Sequence, residues 1–373
     1  MKNKLFILCF LVFAKVSVSQ VYPVGNLTVT LTDASRNRQI PLQVYYPAQV
    51  AGQNAAWASG EFPLIVLGHG FAMNVSAYVN FCQFIVAKGY VVAMVDTENG
   101  LFSVSHENYG RDIAFAAGNL DYQQIQNQPF AYLGHSMGGG AAFLATGFLQ
   151  PDLVAGWAPA ETDPSAIAAS ASVNCPVVVF SGSGDAVTPP AEHHLPIYNA
   201  SPSACKAFVS ITGGAHCYFA QSNLACDFGE TTAGSDIGIS RQEQQNIVFS
   251  RMELLLDAFL KGNQQSFGLF EESVTNSAEV TGTWECSQIP LSIPQSEMSQ
   301  AIFHPAGEAR WFRLSNTIET NQEYFIYSIN GSLVYQGKTS ATDELVDMTA
   351  LRPGLYVVSC GTLKQRLIIS GNR

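Results

Sequence analysis

The chain has 373 residues, 47% of them hydrophobic, enough for one large core and a second small domain, which excludes a disordered or metal-stapled chain. Charged residues make up only 13%, with Gly, Ser, Thr, Asn and Gln filling the polar surface, a balance that suits an extracellular protein. With 18 Lys and Arg against 29 Asp and Glu, the formal charge of −11 repels a phosphate backbone and excludes nucleic acid as a partner.

At the start of the chain, Met1-Lys2-Asn3-Lys4 supplies positive charge, Leu5 to Ala14 is apolar, and Ser17-Val18-Ser19 offers small residues. Together they predict a secretory signal peptide over residues 1–19. That apolar stretch is too short to span a bilayer, and no later run reaches about 20 apolar residues, so no integral membrane segment is expected in the mature form. Leu27 to Leu31 and Ile40 to Tyr46 alternate as strands do, with the polar turn Asp33 to Arg38 between them, predicting an opening hairpin.

Six short apolar runs follow: Phe62 to Leu67, Tyr90 to Asp96, Phe130 to Leu133, Leu153 to Ala158, Pro176 to Ser181 and Lys206 to Ile211. Runs of this kind mark strands buried on both faces. Between and after them lie helix-length segments, Val75 to Lys88, Gly110 to Gln123, Gly139 to Phe148 and Ile239 to Lys261. In the last, Ile247, Met252, Leu255 and Phe259 recur at helical spacing between polar residues. Alternation of strand and helix predicts an α/β domain, a mostly parallel sheet with helices on both faces, over residues 20–289.

Pro290, Ile293 and Pro294 lie in a Ser- and Gln-containing stretch that reads as a linker over 290–300. Beyond it only strand-like runs remain: Trp311 to Leu314, Glu323 to Ile329, Leu333 to Gln336, Gly354 to Val358 and Leu363 to Ile369. They are punctuated by Asn330-Gly331 and Pro353-Gly354, so residues 301–373 are expected to form a small β-sandwich.

Outside the signal peptide, which holds Cys9, there are seven cysteines: Cys82, Cys175, Cys205, Cys217, Cys226, Cys286 and Cys360. Cys360 stands apart in the tail, and the other six allow 15 pairings. We expect Cys175 with Cys205, each just before a strand, and Cys217 with Cys226 as a local clip. Zinc is the rival use of such residues, but there is no C-x-x-C pair, and no set of His, Asp and Glu has ligand spacing, so neither metal nor cofactor is expected.

Chemistry concentrates at Gly134-His135-Ser136-Met137-Gly138. The five letters alone are a weak signal, because glycine and serine are common. Their setting is stronger: Ser136 falls between a strand and a helix, where a nucleophile needs a tight turn with small neighbours. The backbone N–H of Met137, at the helix start, would face an oxyanion, aided by the helix dipole. A serine also needs a base and a carboxylate, here in the order Ser, acid, His. Asp185, in Ser181-Gly182-Ser183-Gly184-Asp185, and His216, in Gly213-Gly214-Ala215-His216, each directly follow a predicted strand. The carboxyl edge of an open α/β sheet is where sites are built.

Leu67-Gly68-His69-Gly70-Phe71 supplies the remaining part: the Phe71 N–H as second oxyanion donor, and its ring as one wall of the acyl site. His69 is expected to be structural. Glu161 is an alternative acid or a rim residue. His193 and His194 are expected to be solvated loop residues, and His106 to make a structural hydrogen bond or touch substrate. His304 belongs to the tail.

These residues resemble the α/β-hydrolase family, and within it secreted lipases, cutinase-like polyesterases and chlorophyllase-like esterases. The resemblance covers roughly Asn26 to Gly262 and rests on Gly68-His69-Gly70-Phe71, Gly134 to Gly139, Gly184-Asp185 and Gly214-Ala215-His216. It implies an eight-stranded sheet and acyl transfer from esters through a covalent acyl-enzyme. Polyesterases often carry a tryptophan after the nucleophile helix, where this chain has Trp157-Ala158-Pro159-Ala160-Glu161, so Trp157 and Glu161 are candidate substrate contacts. Pro159 to Pro164 is more similar to the chlorophyllase-like branch.

The tail resembles the C-terminal sorting domain of type IX secretion, through Ile329 to Tyr335, Leu351 to Val357 and Lys364 to Ile369. That implies the type IX export machinery as partner, transport across an outer membrane and removal of the tail. A carbohydrate-binding or adhesive sandwich is the other reading of these strands. The expectation is therefore a secreted, monomeric serine esterase. A serine peptidase or acyltransferase with the same triad, and a noncatalytic binding protein, are the alternatives.

Overall fold

The computed structural model describes residues 20–286, 303–305, 311–314, 323–328, 333–338, 345–351, 354–360 and 363–369. The predicted signal peptide and the linker at 290–300 lie outside the described residues, as do the Asn330-Gly331 turn and Pro353 of the Pro353-Gly354 turn.

The opening hairpin forms as expected, from β1 (Val24–Asp33) and β2 (Arg38–Pro47), with Val29 opposite Leu42. A two-residue strand, β3 (Gly52–Gln53), adds to its edge. Strand and helix then alternate: β4 (Leu64–Gly68), α1 (Val79–Val86), β5 (Val91–Val95), α2 (His106–Asn119), β6 (Phe130–His135), α3 (Met137–Ala145), β7 (Leu153–Trp157), α4 (Ala166–Ser170), β8 (Val177–Gly182), α5 (His194–Ala200) and β9 (Cys205–Ile211). Three helices follow, α6 (Leu224–Ala233), α7 (Arg241–Leu260) and α8 (Gln264–Thr275), before β10 (Val280–Cys286).

The sheet order is β10-β9-β8-β7-β6-β4-β5-β2-β1-β3, with β4 to β9 parallel. The expected eight strands are its centre, but the sheet has ten. The two extra strands are the short β3 and the antiparallel β10. β10 escaped prediction because its Val-Thr-Gly-Thr-Trp-Glu-Cys sequence alternates covered or half-covered with exposed positions, with a glycine inside, as an edge strand does.

Every residue of β4 to β8 is buried, which is why these strands read as unbroken apolar runs. Alternate residues feed two cores. Ile65 and Leu67 join Phe81, Val248, Leu255 and Phe270 from α1, α7 and α8 on one face. On the other, Leu64 and Val66 join Tyr109, Ile113 and Phe143 from α2 and α3. Ser240 and Glu243 close a reciprocal cap at the start of α7, satisfying two terminal N–H groups.

The Cys217–Cys226 disulfide is present as expected. The expected Cys175–Cys205 pair is not: Cys205 bonds Cys286, its direct cross-strand neighbour between β9 and β10. Cys175 lies in the core on the opposite face of the sheet from Cys205, since β8 and β9 run in a register that sends the two side chains opposite ways. Burial raises its thiol pKa, and Cys82, Cys175 and Cys360 are free thiols.

After the α/β unit come β11 (Phe303–Pro305), β12 (Trp311–Leu314), β13 (Glu323–Ser328), β14 (Leu333–Lys338), β15 (Leu345–Asp347), β16 (Gly354–Cys360) and β17 (Leu363–Ile369). They form two antiparallel sheets, β11-β12-β15 and β14-β13-β16-β17, with Ile326, Val346, Met348, Val358 and Leu367 buried together. Among the described residues, no helix is long and apolar enough to cross a membrane.

Candidate active site

The carboxyl ends of β4, β6, β8 and β9 gather the predicted site residues. Ser136 sits between β6 and α3 with φ 55° and ψ −121°, a conformation that turns its side chain out of the strand. Two close approaches permit that turn. A Cβ on Gly134 would stand 2.0 Å from the Gly138 carbonyl oxygen, and one on Gly138 would stand 2.3 Å from the Gly68 backbone. The turn is pinned by Ser136 N–H donating to the Trp157 carbonyl at 3.0 Å, and by its own carbonyl accepting from Gly140 and Ala160 at 3.0 and 2.9 Å. Met137 N–H opens α3, where no carbonyl one turn back is available to it.

Asp185 follows β8 and is buried. Its Oδ1 accepts from the Val187 and Thr188 N–H groups at 2.9 and 2.8 Å, and its Oδ2 from His216 Nδ1 at 2.8 Å and from the Thr188 hydroxyl at 3.1 Å. Burial alone would push this carboxyl up. The hydrogen bond and charge of His216, then His194 and the Thr188 N–H, outweigh burial and leave it below its ordinary value.

His216 follows β9 and is 2% exposed. Its backbone is held from two sides. The buried Glu230 carboxylate of α6 accepts from the N–H groups of His216 and Cys217. The His216 carbonyl accepts from His135 Nε2 at 3.0 Å. That fixes the His135 tautomer, so Nδ1 receives the Tyr78 hydroxyl proton at 2.8 Å, while Tyr78 in turn accepts from Gly70 N–H at 3.0 Å. One chain of hydrogen bonds thus joins the Gly68 to Phe71 loop, the serine turn and the His216 loop. His135 stays neutral, its pKa driven well down by burial and by His216.

Phe71 is 48% exposed beside Ala72, which has φ 53°. His69 is structural as expected, buried with its ring nitrogens 2.8 and 2.9 Å from the carbonyl oxygens of Gly70 and Thr97. His106 Nδ1 accepts from Asp163 N–H at 3.1 Å, the structural bond anticipated for it. Glu161 is half-buried and its Oε2 accepts from Ile167 N–H at 3.0 Å, so this carboxylate caps α4 instead of facing His216. Trp157, expected to touch substrate, is fully buried, with its ring edge-on to Phe81 at 4.9 Å. Its position as the last residue of β7, at the sheet centre, puts the indole in the core.

His194, expected to be solvated, is fully buried. Its Nδ1 lies 2.8 Å from Ser181 Oγ, its Nε2 2.9 Å from Thr188 Oγ1, and Asp185 Oδ2 is 3.7 Å away. Ser181, His194 and Asp185 thus form a second serine–histidine–carboxylate arrangement. Its neighbour His193 is half-buried and accepts from Glu161 N–H at 2.9 Å. The sequence held a signal for His194: with Ile197 and Tyr198 it makes an i, i+3, i+4 buried face on α5. For Thr188 and Glu230 there was none, because their partners are brought up by loops. Among the described residues, no group of three or more His, Cys, Asp or Glu could hold a metal ion.

The fold and these serine–histidine–carboxylate contacts define an α/β-hydrolase of the cutinase and esterase kind. Residues 25–232 match the PETase family, described as PET hydrolase-like, and the chain belongs to that family. It is similar to a bis(hydroxyethyl) terephthalate hydrolase of Streptomyces coelicolor, 27% identical over 184 residues, covering 46% of this chain and 54% of that protein. It is also similar to cutinase 1 of Thermobifida cellulosilytica and a cutinase of Thermobifida fusca. Both are 25% identical over 181 residues, or 46% of this chain and 64% and 56% of theirs. The chain thus spans less than two-thirds of the length of the curated relatives it matches.

Proposed function

We propose that this chain is a secreted serine hydrolase of carboxylic esters, with Ser136 as nucleophile, His216 as base and Asp185 as its partner. His216 Nε2 takes the Ser136 proton as Oγ attacks the ester carbonyl, and Asp185 holds the Nδ1–H tautomer and stabilises the imidazolium. Phe71 and Met137 N–H groups receive the negative oxygen of the tetrahedral intermediate. His216 then protonates the departing alkoxide, leaving an acyl-serine, and deprotonates the water that clears it.

The observation that carries this reading is Ser136 itself: a non-glycine residue at φ 55°, at the carboxyl edge of the sheet and the mouth of α3. Ser181, within β8, is 0% exposed against 9% for Ser136, which disfavours it as the nucleophile. The substrate is an apolar ester, polyesters included. Phe71, Leu101, Phe102, Leu224, Phe228 and Ile237 are all exposed, on segments that follow β4, β5 and β9 at this edge. The names of the relatives, a terephthalate diester hydrolase and two cutinases, point the same way.

Residues 1–19 serve as signal peptide, 20–289 as the catalytic unit, 290–300 as linker and 301–373 as a type IX sorting tail removed on export. The mature enzyme is a monomer without cofactor. An organophosphonate probe with peptide mapping tests the reading: label is expected on Ser136, and label on Ser181 or none at all overturns it. Product analysis with peptide and alcohol acceptors then separates an esterase from a peptidase or acyltransferase.

A further inference from the structure

The buried cluster behind Asp185 is wired through one shared hydroxyl, and where its proton points decides how many donors the carboxylate has. Thr188 Oγ1 lies within hydrogen-bond distance of Asp185 Oδ2 at 3.1 Å, His194 Nε2 at 2.9 Å, His216 Nδ1 at 2.8 Å and, at the limit, the Ala158 carbonyl at 3.5 Å, yet a hydroxyl has one proton. Of the two oxygens that can only accept, the Asp185 carboxylate is the nearer and carries the charge, so it draws the Thr188 proton onto Oδ2 in preference to the Ala158 carbonyl. Thr188 must then accept from His194, which places the His194 proton on Nε2 and leaves Nδ1 to accept from the Ser181 hydroxyl at 2.8 Å. The opposite tautomer would draw the Thr188 proton onto His194 and take one donor from the carboxylate.

Resting on the proposed roles of Ser136, His216 and Asp185, we propose that His194 is a positioning residue. Its Nε2–H turns the Thr188 hydroxyl onto Asp185 and thereby sets how much negative charge Asp185 presents to His216. Donors in a chain polarise one another, so the incoming N–H strengthens the bond that Thr188 donates. The titratable groups that act on His194 are Asp185 and His216, each from the loop after its strand, its neighbour His193, and the neutral His135 at the end of β6. Burial, against the attraction of Asp185, holds the His194 imidazole down at about 3, so it acts as a neutral ring throughout the working range.

Nitrogen-15 NMR of the histidine rings tests the wiring without any turnover. The expected result is His194 protonated on Nε2 alone from about pH 5 to about pH 9; an Nδ1–H tautomer, or a ring that charges in that interval, overturns the proposal. Activity tests the consequence. In His194→Phe the carboxylate is less neutralised and favours the imidazolium more. The acid limb of the kcat profile should therefore move up by about half a pH unit and kcat fall about threefold to tenfold, with KM unchanged. His194→Gln keeps a donor near the Nε2 position and should recover most of both effects, and Thr188→Val should repeat the His194→Phe shift if that variant folds poorly.

A folded His194→Phe whose acid limb superimposes on the parent, or a Gln variant no better than Phe, overturns the proposal. Ser181→Ala should keep its organophosphonate label, and loss of label there would make Ser181 the nucleophile and end the relay. A parent protein that takes no label defeats the esterase reading, while the NMR tautomer still decides the wiring.

Discussion

Ser136 holds a backbone conformation that costs a residue with a Cβ about 1–2 kcal/mol, and its neighbours enforce it through three backbone hydrogen bonds. The proposed role as nucleophile, not stability, accounts for a serine there. Ser136→Gly should therefore raise the melting temperature by a few degrees while abolishing turnover, and Ser136→Ala should lose about 10⁴-fold or more in kcat at an unchanged melting temperature. Calorimetry beside an ester assay reads both. Asp185 adds a pH dependence. Its folded pKa lies below the ordinary 3.8, so its stabilisation is fully present above the unfolded value and is lost as pH falls through the folded one. The melting temperatures of the parent and Asp185→Asn should thus differ most near neutral pH and converge as acidification protonates the carboxyl; a gap that does not narrow on acidification would show that the charge contributes nothing.

At the level of elements, the segment after β9 is organised around one loop. The Cys217–Cys226 disulfide ties the residue after His216 to the first turn of α6, Glu230 on the same helix accepts from both backbone N–H groups, and Arg241 at the start of α7 donates to the Cys217 carbonyl. Removing the Glu230 charge leaves two buried donors with a weaker partner, worth about 1–3 kcal/mol. Glu230→Gln should lower kcat about tenfold with KM nearly constant, because the His216 ring loses its anchorage; a change confined to melting temperature would mean that the loop holds without it. This segment was also the least legible in the sequence. Strands β4 to β9 announced themselves because both faces are covered, and the places of Ser136, Asp185 and His216, the side chains proposed to react, followed from the strand ends. α6 did not, since its large apolar residues, Leu224 and Phe228, point outward and leave no core-facing periodicity. The Cys205–Cys286 pair was hidden for the same kind of reason: it depends on β10, whose partner strand ends about 70 residues earlier in the chain.

For the molecule as a whole, the question is whether the tail belongs to the hydrolase. The two cores of the α/β unit are built from residues up to Cys286, and the tail buries its own set, with Ile326, Met348 and Val358 fully enclosed. The Cys205–Cys286 disulfide closes the last strand of the large sheet onto its neighbour, 81 residues earlier, and a loop of that size is worth about 4 kcal/mol in chain entropy. A chain of residues 20–289 therefore retains both the strand and its staple, and its kcat/KM should stay within about twofold of the full-length protein, with a melting temperature within about 3 °C. Adding Cys286→Ser to that shortened chain should lower its melting temperature by several degrees, because β10 is then held only by edge pairing and by the packing of Val280 and Trp284. If shortening by itself costs more than about tenfold in kcat/KM, the tail takes part in shaping the site and its assignment to export alone is wrong.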